Sequence, residues 1–480
     1  MELIILFISI FIAVVVCLIV RHRGIIECIS VIASLIAFVA SVMIVFKVVA
    51  LGIYAPFQFF SVDALGAIIM LLIALVGFAA TMYSVWYLRE ETANQVIGFT
   101  RVKQYFILLN LFLGAMFLAV VSSNPIFTWI SIEATTLSTA FLISFYNKPA
   151  AMEAAWKYLI INSIGLLLGF FGTLLYFTSL QATGGGGLAT WNSLLSNAAH
   201  LNPSIAKIAF IFILIGYGTK VGLVPMHTWL PDAHSKAPAP ISALLSGVLL
   251  NVAFIAMLRF KVITDASVGS GFSQKLLIAF GLISIIVASL IIFTQKNYKR
   301  LLAYSSIENM GIVTLGFGFG GLGVFAAILH IIYHSLIKSA LFFSTGNMLL
   351  KYNSAKIKDV KGAINVIPIT SILFLTGFFA ITGTPPFGIF LTKIFILSAG
   401  IQTHLVITII AIFFMAILFI GFFKHVVAMI FGEQSADIKT GEASMWLIVP
   451  QFALVAIAFY LSFHIPSFIH TLITVAVSHY

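Results

Sequence analysis

The chain is poor in charge. Of its 480 residues, 8% are Asp, Glu, Lys or Arg, about a third of what a soluble domain carries. That shortage excludes a water-solvated globular surface. Cysteine is nearly absent. Cys17 and Cys28 are too few to ligate an iron–sulfur cluster or a structural zinc ion. No phosphate-binding glycine loop, dinucleotide fingerprint or haem motif occurs, so no redox cofactor is expected in this chain. No small-residue cleavage site follows a short apolar core at the N-terminus, and residues 2–20 are expected to span a membrane rather than act as a signal peptide. Lys and Arg outnumber Asp and Glu by 25 to 14, for a formal charge of +11. The cations are scattered over short loops without a basic helix or interleaved aromatics, which argues against nucleic acid as a partner.

What is present is apolar: 61% of residues are hydrophobic. A spanning helix needs roughly 20 such residues. Fourteen apolar segments are read, near 2–20, 25–46, 63–86, 105–121, 124–146, 154–180, 205–232 (interrupted), 239–260, 273–294, 301–318, 322–350, 365–400 (interrupted), 404–430 and 445–464. The predicted fold is an all-α polytopic membrane protein with the lipid bilayer as solvent, one membrane domain over 1–480. Loop cations orient it. Sixteen Lys and Arg fall on one side and five on the other, the five being Lys47, Lys207, Arg259, Lys261 and Lys275. The richer side is expected to be cytoplasmic, with both termini outside. The glycine-rich stretch 181–192 reads as an outer loop and 351–362 as a basic inner one. Trp86, Trp129, Trp156, Trp191 and Trp446 lie near span ends, as in an aromatic belt.

Seven ionisable residues fall deep in the spans: Glu133, Lys220, Glu308, His330, His334, Lys338 and Lys393. A Lys or Asp at a helix centre costs at least about 2.5 kcal/mol on insertion scales, and such residues mark ion pathways or proton relays. His330, His334 and Lys338 recur every four residues, on one helix face. Two histidines without a nearby carboxylate or cysteine are a poor metal site, so no metal is expected. Two spans are interrupted. "GYGTKVGLVPMHTWLPDAHSKAP" (216–238) sets Lys220 before Pro225, and "GTPPFGIFLTK" (383–393) sets Lys393 after Pro385, Pro386 and Gly388. Broken helices at membrane depth line cavities or are buried in protein. The acid recurs at an offset of 175 residues (133 to 308) and the lysine at 173 (220 to 393). This predicts two five-span repeats, 105–260 and 273–430, inverted relative to each other. His227 and His234 follow the first break, and His234 is expected at a water-filled mouth.

Three stretches carry a resemblance: "GYGTKVGLVPMHTWLPDAHSKAPAPISALLSGVLLN" (216–251), "KRLLAYSSIENMGIVTLG" (299–316) and "HIIYHSLIKSALFFSTGNMLLKY" (330–352). Over roughly residues 60–430 the chain resembles the proton-translocating antiporter-like subunits. That family includes the large membrane subunits of respiratory complex I, the large Mrp antiporter subunits and membrane subunits of group 4 hydrogenases. "SIENMG", "GNMLLKY" and "GTPPFG" look closest to the F-type subunit of hydrogenase-4 and formate hydrogenlyase-like complexes. The resemblance implies that Glu133 and Lys220 form an acid–base pair between the fifth and seventh spans. It implies that His330, His334 and Lys338 are a central relay and that Lys393 is the terminal proton site. One position departs from the family pattern: Asn251 stands in the eighth span where a lysine is common, and an amide can order water but not hold the proton.

The expected function is a proton-translocating subunit, itself non-catalytic, in a redox-driven complex of the hydrogenase-4 or NADH:quinone oxidoreductase kind in a cell inner membrane. Its partners would be other membrane subunits and a peripheral redox arm holding the cofactors. The alternatives are a Mrp-type Na⁺/H⁺ antiporter subunit, a quinone-binding subunit and a structural spacer with buried ion pairs.

Overall fold

The computed structural model describes residues 1–182, 190–433 and 438–480; the glycines at 184–187 lie outside the described residues. Helices α1 (Glu2–Ile19) and α2 (Arg23–Leu51) lead into a two-stranded hairpin, β1 (Tyr54–Phe57) and β2 (Phe60–Val62). Then come α3 (Ala64–Ala93), α4 (Phe99–Val121), α5 (Pro125–Ile143), α6 (Pro149–Ala182) and a short α7 (Trp191–Ser196). The first broken span is α8 (Pro203–Val221) with α9 (Trp229–Lys236). The next is α10 (Ala239–Leu244), a π-helical turn (Leu245–Leu249) and α11 (Leu250–Val268). After α12 (Ser270–Ile291), α13 (Tyr298–Phe319), α14 (Leu322–Tyr352) and a short α15 (Ala363–Val366), the second broken span is α16 (Pro368–Thr382) with α17 (Gly388–Thr403). The chain closes with α18 (Leu405–Phe431), α19 (Ile448–Phe463) and α20 (Ser467–Val477).

Among the described residues, twelve helices are long and apolar enough to cross a membrane. Each coincides with one of the expected segments. The other two expected segments are α13 and the pair α16 and α17. Helix α20 has no counterpart among them: its eleven residues are too few to cross a bilayer, and it packs on α2, α3 and α14.

Local chemistry sets the helix starts. Asn124 and Asn202 accept from the first free backbone N–H groups of α5 and α8, and a proline fills the first helical position of each. Asn297 caps α13 and Asp63 caps α3 in the same way. The two breaks share one stop. Gly222 and Gly383 adopt φ of 82° and 84°. In each, the glycine N–H bonds back three residues and the next N–H bonds back five, from Leu223 to Gly218 and from Thr384 to Phe379. This closing pattern satisfies the last carbonyls of the helix and needs a residue without Cβ at the left-handed position.

The breaks lie 161 residues apart (222 to 383), not 173 like the lysines. Lys220 therefore ends the helix before its break, whereas Lys393 lies in the second turn of the helix after its break. Neighbour relations recur nonetheless. Helix α6 packs on α5, α8 and α9, and α14 packs on α13, α16 and α17. Helix α4 touches α11, as α12 touches α18.

Three expected loop cations are corrected, the first being Lys299, which lies buried in the first turn of α13. Because α11 runs on to Val268, Arg259 and Lys261 are helical and packed inside the protein. Arg259 pairs with Asp63 at 3.2 Å and Lys261 with Asp265 at 2.7 Å. Trp191 is also not at the lipid surface: it is buried, donates to the Ser122 carbonyl at 3.2 Å and lies under Arg259.

Helices α6 and α8 cross closely at glycines. A Cβ on Gly216 would stand 2.4 Å from the backbone nitrogen of Gly169. This contact fixes where Lys220, four residues on, meets α5 and α6. Gly216→Val is expected to cost about 1–3 kcal/mol through overpacking, read as a lower thermal midpoint in detergent. Gly271→Ala, where a Cβ meets nothing within 4 Å, serves as the near-neutral control.

Candidate functional site: a buried polar chain across two helix breaks

Apart from Glu133, every ionisable residue singled out in the spans is buried, as is Asn251. In the first unit, α5 and α6 form a hydroxyl-rich wall facing the end of α8. The Lys220 ammonium nitrogen donates to Thr136 Oγ1 at 2.9 Å and to the Tyr158 hydroxyl at 2.7 Å, and it lies 4.8 Å from the Tyr158 ring centre. Tyr158 in turn lies 2.5 Å from Thr139 Oγ1. Glu133 is one turn before Thr136 on α5. It does not ion-pair with Lys220. Its Oε1 accepts from Ser163 of α6 at 2.7 Å, and its Oε2 is buried without a partner. The direct Glu133–Lys220 contact expected from the resemblance is thus replaced by Lys220 on neutral hydroxyls. Hydroxyls both accept and donate, so this seat can serve an ammonium or an amine.

The π-helical turn joins the units. Ser246 within it lies 2.7 Å from Ser306 of α13. A Cβ on Gly247 would collide with Ser339 of α14. Asn251, one turn on, donates to the Gly247 carbonyl at 2.9 Å and to Ser335 Oγ at 3.0 Å, leaving its buried Oδ1 unpartnered. The sequence neighbour of Ser335 is His334, whose two ring nitrogens are buried without hydrogen-bond partners.

The second unit is more tightly connected. Lys338 donates to the Leu302 carbonyl at 2.7 Å and to Ser305 Oγ at 2.6 Å. The Asn309 amide donates to the Ser305 carbonyl at 2.7 Å and to Glu308 Oε2 at 2.6 Å. Glu308 Oε1 accepts from Lys393 at 3.1 Å, a buried ion pair, and Lys393 also reaches the last carbonyl of α16, Thr382, at 3.2 Å. His330 Nε2 lies 3.0 Å from Asn309 Oδ1 and Nδ1 lies 2.9 Å from Thr392 Oγ1. Asn309 Oδ1 can only accept, so Nε2 donates. The Thr392 hydroxyl also reaches the Ile389 carbonyl at 3.0 Å. With a neutral imidazole, Thr392 donates to Nδ1. With an imidazolium, it accepts from Nδ1 and donates to Ile389. A hydroxyl rotation accommodates both protonation states.

The structure therefore brings Glu308, His330 and Lys393 into one network and seats Lys338 one turn away, on Ser305 of the same helix. It sets Asn251 and His334 at its edge and keeps Glu133 and Lys220 in a separate one. Of the residues expected as helix breaks, Pro225, Pro385 and Pro386 lie between the helix pairs and Gly388 opens α17. His234 lies on α9 rather than in a loop, fully buried and stacked 4.9 Å from Phe342 of α14. Sequence reasoning missed Thr136, Thr139, Tyr158, Ser305, Asn309 and Thr392. For the first two a signal existed: "ATTLSTA" (134–140) puts hydroxyls one turn after Glu133 on the same helix. Among the described residues, no three His, Cys, Asp or Glu side chains converge as metal ligands.

A family profile described as "NADH:quinone oxidoreductase/Mrp antiporter, TM" matches residues 122–419, which hold every residue of this network. The chain belongs to this family. A second profile, "NADH-Ubiquinone oxidoreductase (complex I), chain 5 N-terminus", matches residues 55–95. The hydrogenase-4 component F homolog of Methylacidiphilum infernorum (isolate V4) is 42% identical over 370 residues, 76% of this chain and 77% of that protein. Two solved structures share the fold of this antiporter-family chain. One is a chain of the archaeal membrane-bound sulfane sulfur reductase, with TM-score 0.86, 24% identity, and coverage of 100% of this chain and 96% of that one. The other is a chain of the Mrp complex from Dietzia sp. DQ12-45-1b, with TM-score 0.87, 17% identity, and coverage of 100% and 97%.

Breaking the Glu308–Lys393 pair from one side strands a buried charge. Lys393→Met alone is expected to destabilise the protein by about 3–5 kcal/mol. Glu308→Gln/Lys393→Met should cost clearly less than the two single changes added. Thermal midpoints for the four proteins of this double-mutant cycle check it.

Proposed function

We propose that this chain is a proton-translocating membrane subunit of a redox-driven complex of the hydrogenase-4 kind. The observation that carries the reading is the buried hydrogen-bonded chain Thr392–His330–Asn309–Glu308–Lys393, with Lys338 seated one helical turn before Asn309 on the Ser305 hydroxyl. In it ammonium, carboxylate and imidazole alternate with hydroxyl and amide groups that can reorient. The 42% identity to a hydrogenase-4 component F homolog favours a redox complex over a stand-alone exchanger.

In this reading a proton rests on Lys220, crosses near Asn251 and His334, passes Lys338 and leaves through Lys393. Coupling needs two states of the assembly with different proton affinities. The partly exposed side chain of Glu133 makes it the one of these ionisable groups that a neighbouring subunit can reach. Electron transfer takes place in partner subunits with a peripheral redox arm, and the chain lies in a cell inner membrane. Fourteen spans put both termini on the outer side. The recurring helix neighbours and the shared helix stop support two inverted five-helix units, over 105–260 and 273–430.

The test is the co-purified complex in liposomes, driven by its electron donor. Lys220→Ala and Lys393→Ala are expected to abolish proton translocation while the complex still assembles and its redox partners stay reducible. Unchanged proton translocation in both would overturn the relay. Exchange of Na⁺ for H⁺ without an electron donor would favour the Mrp-type antiporter instead.

A further inference from the structure

The ends of α3, α6, α9, α13 and α14 on the lysine-rich side border a cavity of about 290 Å³, with polar and apolar lining, outside the relay just described. Glu91, Tyr146, Lys148, Lys236 and Lys299 line it. Glu91 is 4% exposed although it lies two residues from the end of α3. The other deeply buried glutamates, Glu27 and Glu308, are ion-paired, with Arg23 and Arg89 and with Lys393. Glu91 has no cation within ion-pair distance among the described residues. Its Oε1 accepts from the Tyr146 hydroxyl at 2.5 Å, with the Tyr87 hydroxyl 3.2 Å beyond, and its Oε2 is buried without a partner. Lys299, also buried, donates to the Ala237 carbonyl at 2.7 Å. A buried acid and a buried base thus share one cavity wall without neutralising each other directly.

Two ligands fit such a wall on charge alone. Three lysines attract a phosphate, but a carboxylate with a free oxygen in the same wall repels it. A proton suits every group present. Glu91 can take it on Oε2 while Oε1 keeps its bond from Tyr146, so no partner need be displaced. The cavity is also close to the relay. Lys299 precedes Leu302 and Ser305 on α13, the two acceptors of Lys338, and six residues of helix rise by about 9 Å.

We propose that Glu91, with Lys299 beside it, is the proton-loading site of this cavity and feeds the relay at Lys338 from the cytoplasmic side. A hydronium ion in the cavity gives its proton to the Glu91 carboxylate, leaving water and the neutral acid. The acid returns the proton to cavity water on the relay side and becomes a carboxylate again. The inference rests on the proton-translocation reading above.

Two measurements on the co-purified complex test it. Glu91→Gln keeps the side-chain shape but cannot take the proton, and it is expected to slow redox-driven proton uptake into liposomes at least about tenfold, as loss of a positioned acid–base group does. Glu91→Asp should restore part of the rate. In the unaltered complex, a hydrophobic carbodiimide, which reacts with protonated carboxyl groups, should modify Glu91, read by peptide mass spectrometry. Wild-type uptake by Glu91→Gln overturns the proposal, and so does an unmodified Glu91. If Glu91→Gln fails to assemble, the carbodiimide result decides. Should Lys393→Ala also translocate normally, the function reading fails. Normal uptake in Glu91→Gln alone overturns only this site.

Discussion

The ion pair between Lys393 and Glu308 is the interaction on which the second half of the molecule depends. Neither charge reaches solvent, and an isolated ion in such a setting is among the costliest things a fold can contain. Each is satisfied in several ways at once. The carboxylate takes the lysine on one oxygen and Asn309 on the other, and the lysine adds the terminal carbonyl of α16. That carbonyl is free to accept because the helix stops there. The break at Gly383 is therefore part of the charge's solvation, not only a bend. The remaining ties, Asn309 to His330 and His330 to Thr392, close a ring through α13, α14 and α17. Half-satisfied networks of this kind are worse than apolar packing, which explains why so many small polar residues accompany so few charges.

The first half solves the same problem differently. Lys220 also lies beside a helix break, but its acceptors are hydroxyls, and Glu133 stands one helical turn away on α5. The contrast follows from where each lysine sits relative to its break. Lys393 follows its break and reaches back toward the freed carbonyl. Lys220 precedes its break, and the indole of Trp229 takes the Thr219 carbonyl at 2.8 Å instead. The ion pair ties Lys393 to a charged partner, whereas the hydroxyls around Lys220 can serve an ammonium or an amine.

Much of this was legible in the sequence because membrane helices write hydropathy plainly. Every long helix was foreseen, and the ions at the middle of the spans stood out against apolar neighbours, whereas those near span ends, such as Arg259 and Lys261, were read as loop cations. Partners were harder to read. Tyr158, Ser305 and Asn309 are uncharged, common and scattered, so nothing in one dimension tells them from polar side chains that bond only their own helix, as Thr81 does. Equal spacing between acids and lysines suggested equal pairing. It could not show that the two breaks are offset by 161 rather than 173 residues, which is what separates the units chemically. Glu91 and Lys299 were hidden for another reason: residues near helix ends look solvated in sequence, and only packing by four other helices buries them.

Asn251 sharpens what the crossing between units must do. Its amide cannot carry a proton, yet the site is not sealed with an apolar residue. It bonds Ser335, leaves one oxygen open, and lies beside a π-helical turn that brings Ser246 to Ser306. A π turn frees backbone groups that a regular helix would use. Next to Ser335, His334 has both nitrogens free. Polar groups with open valences, buried and close together, are where an internal water is held. In the proposed reading a lysine at 251 would add one more group able to hold the proton between Lys220 and Lys338. Asparagine removes that storing group, so in that reading the lysines on either side store the proton and the crossing between them only passes it on.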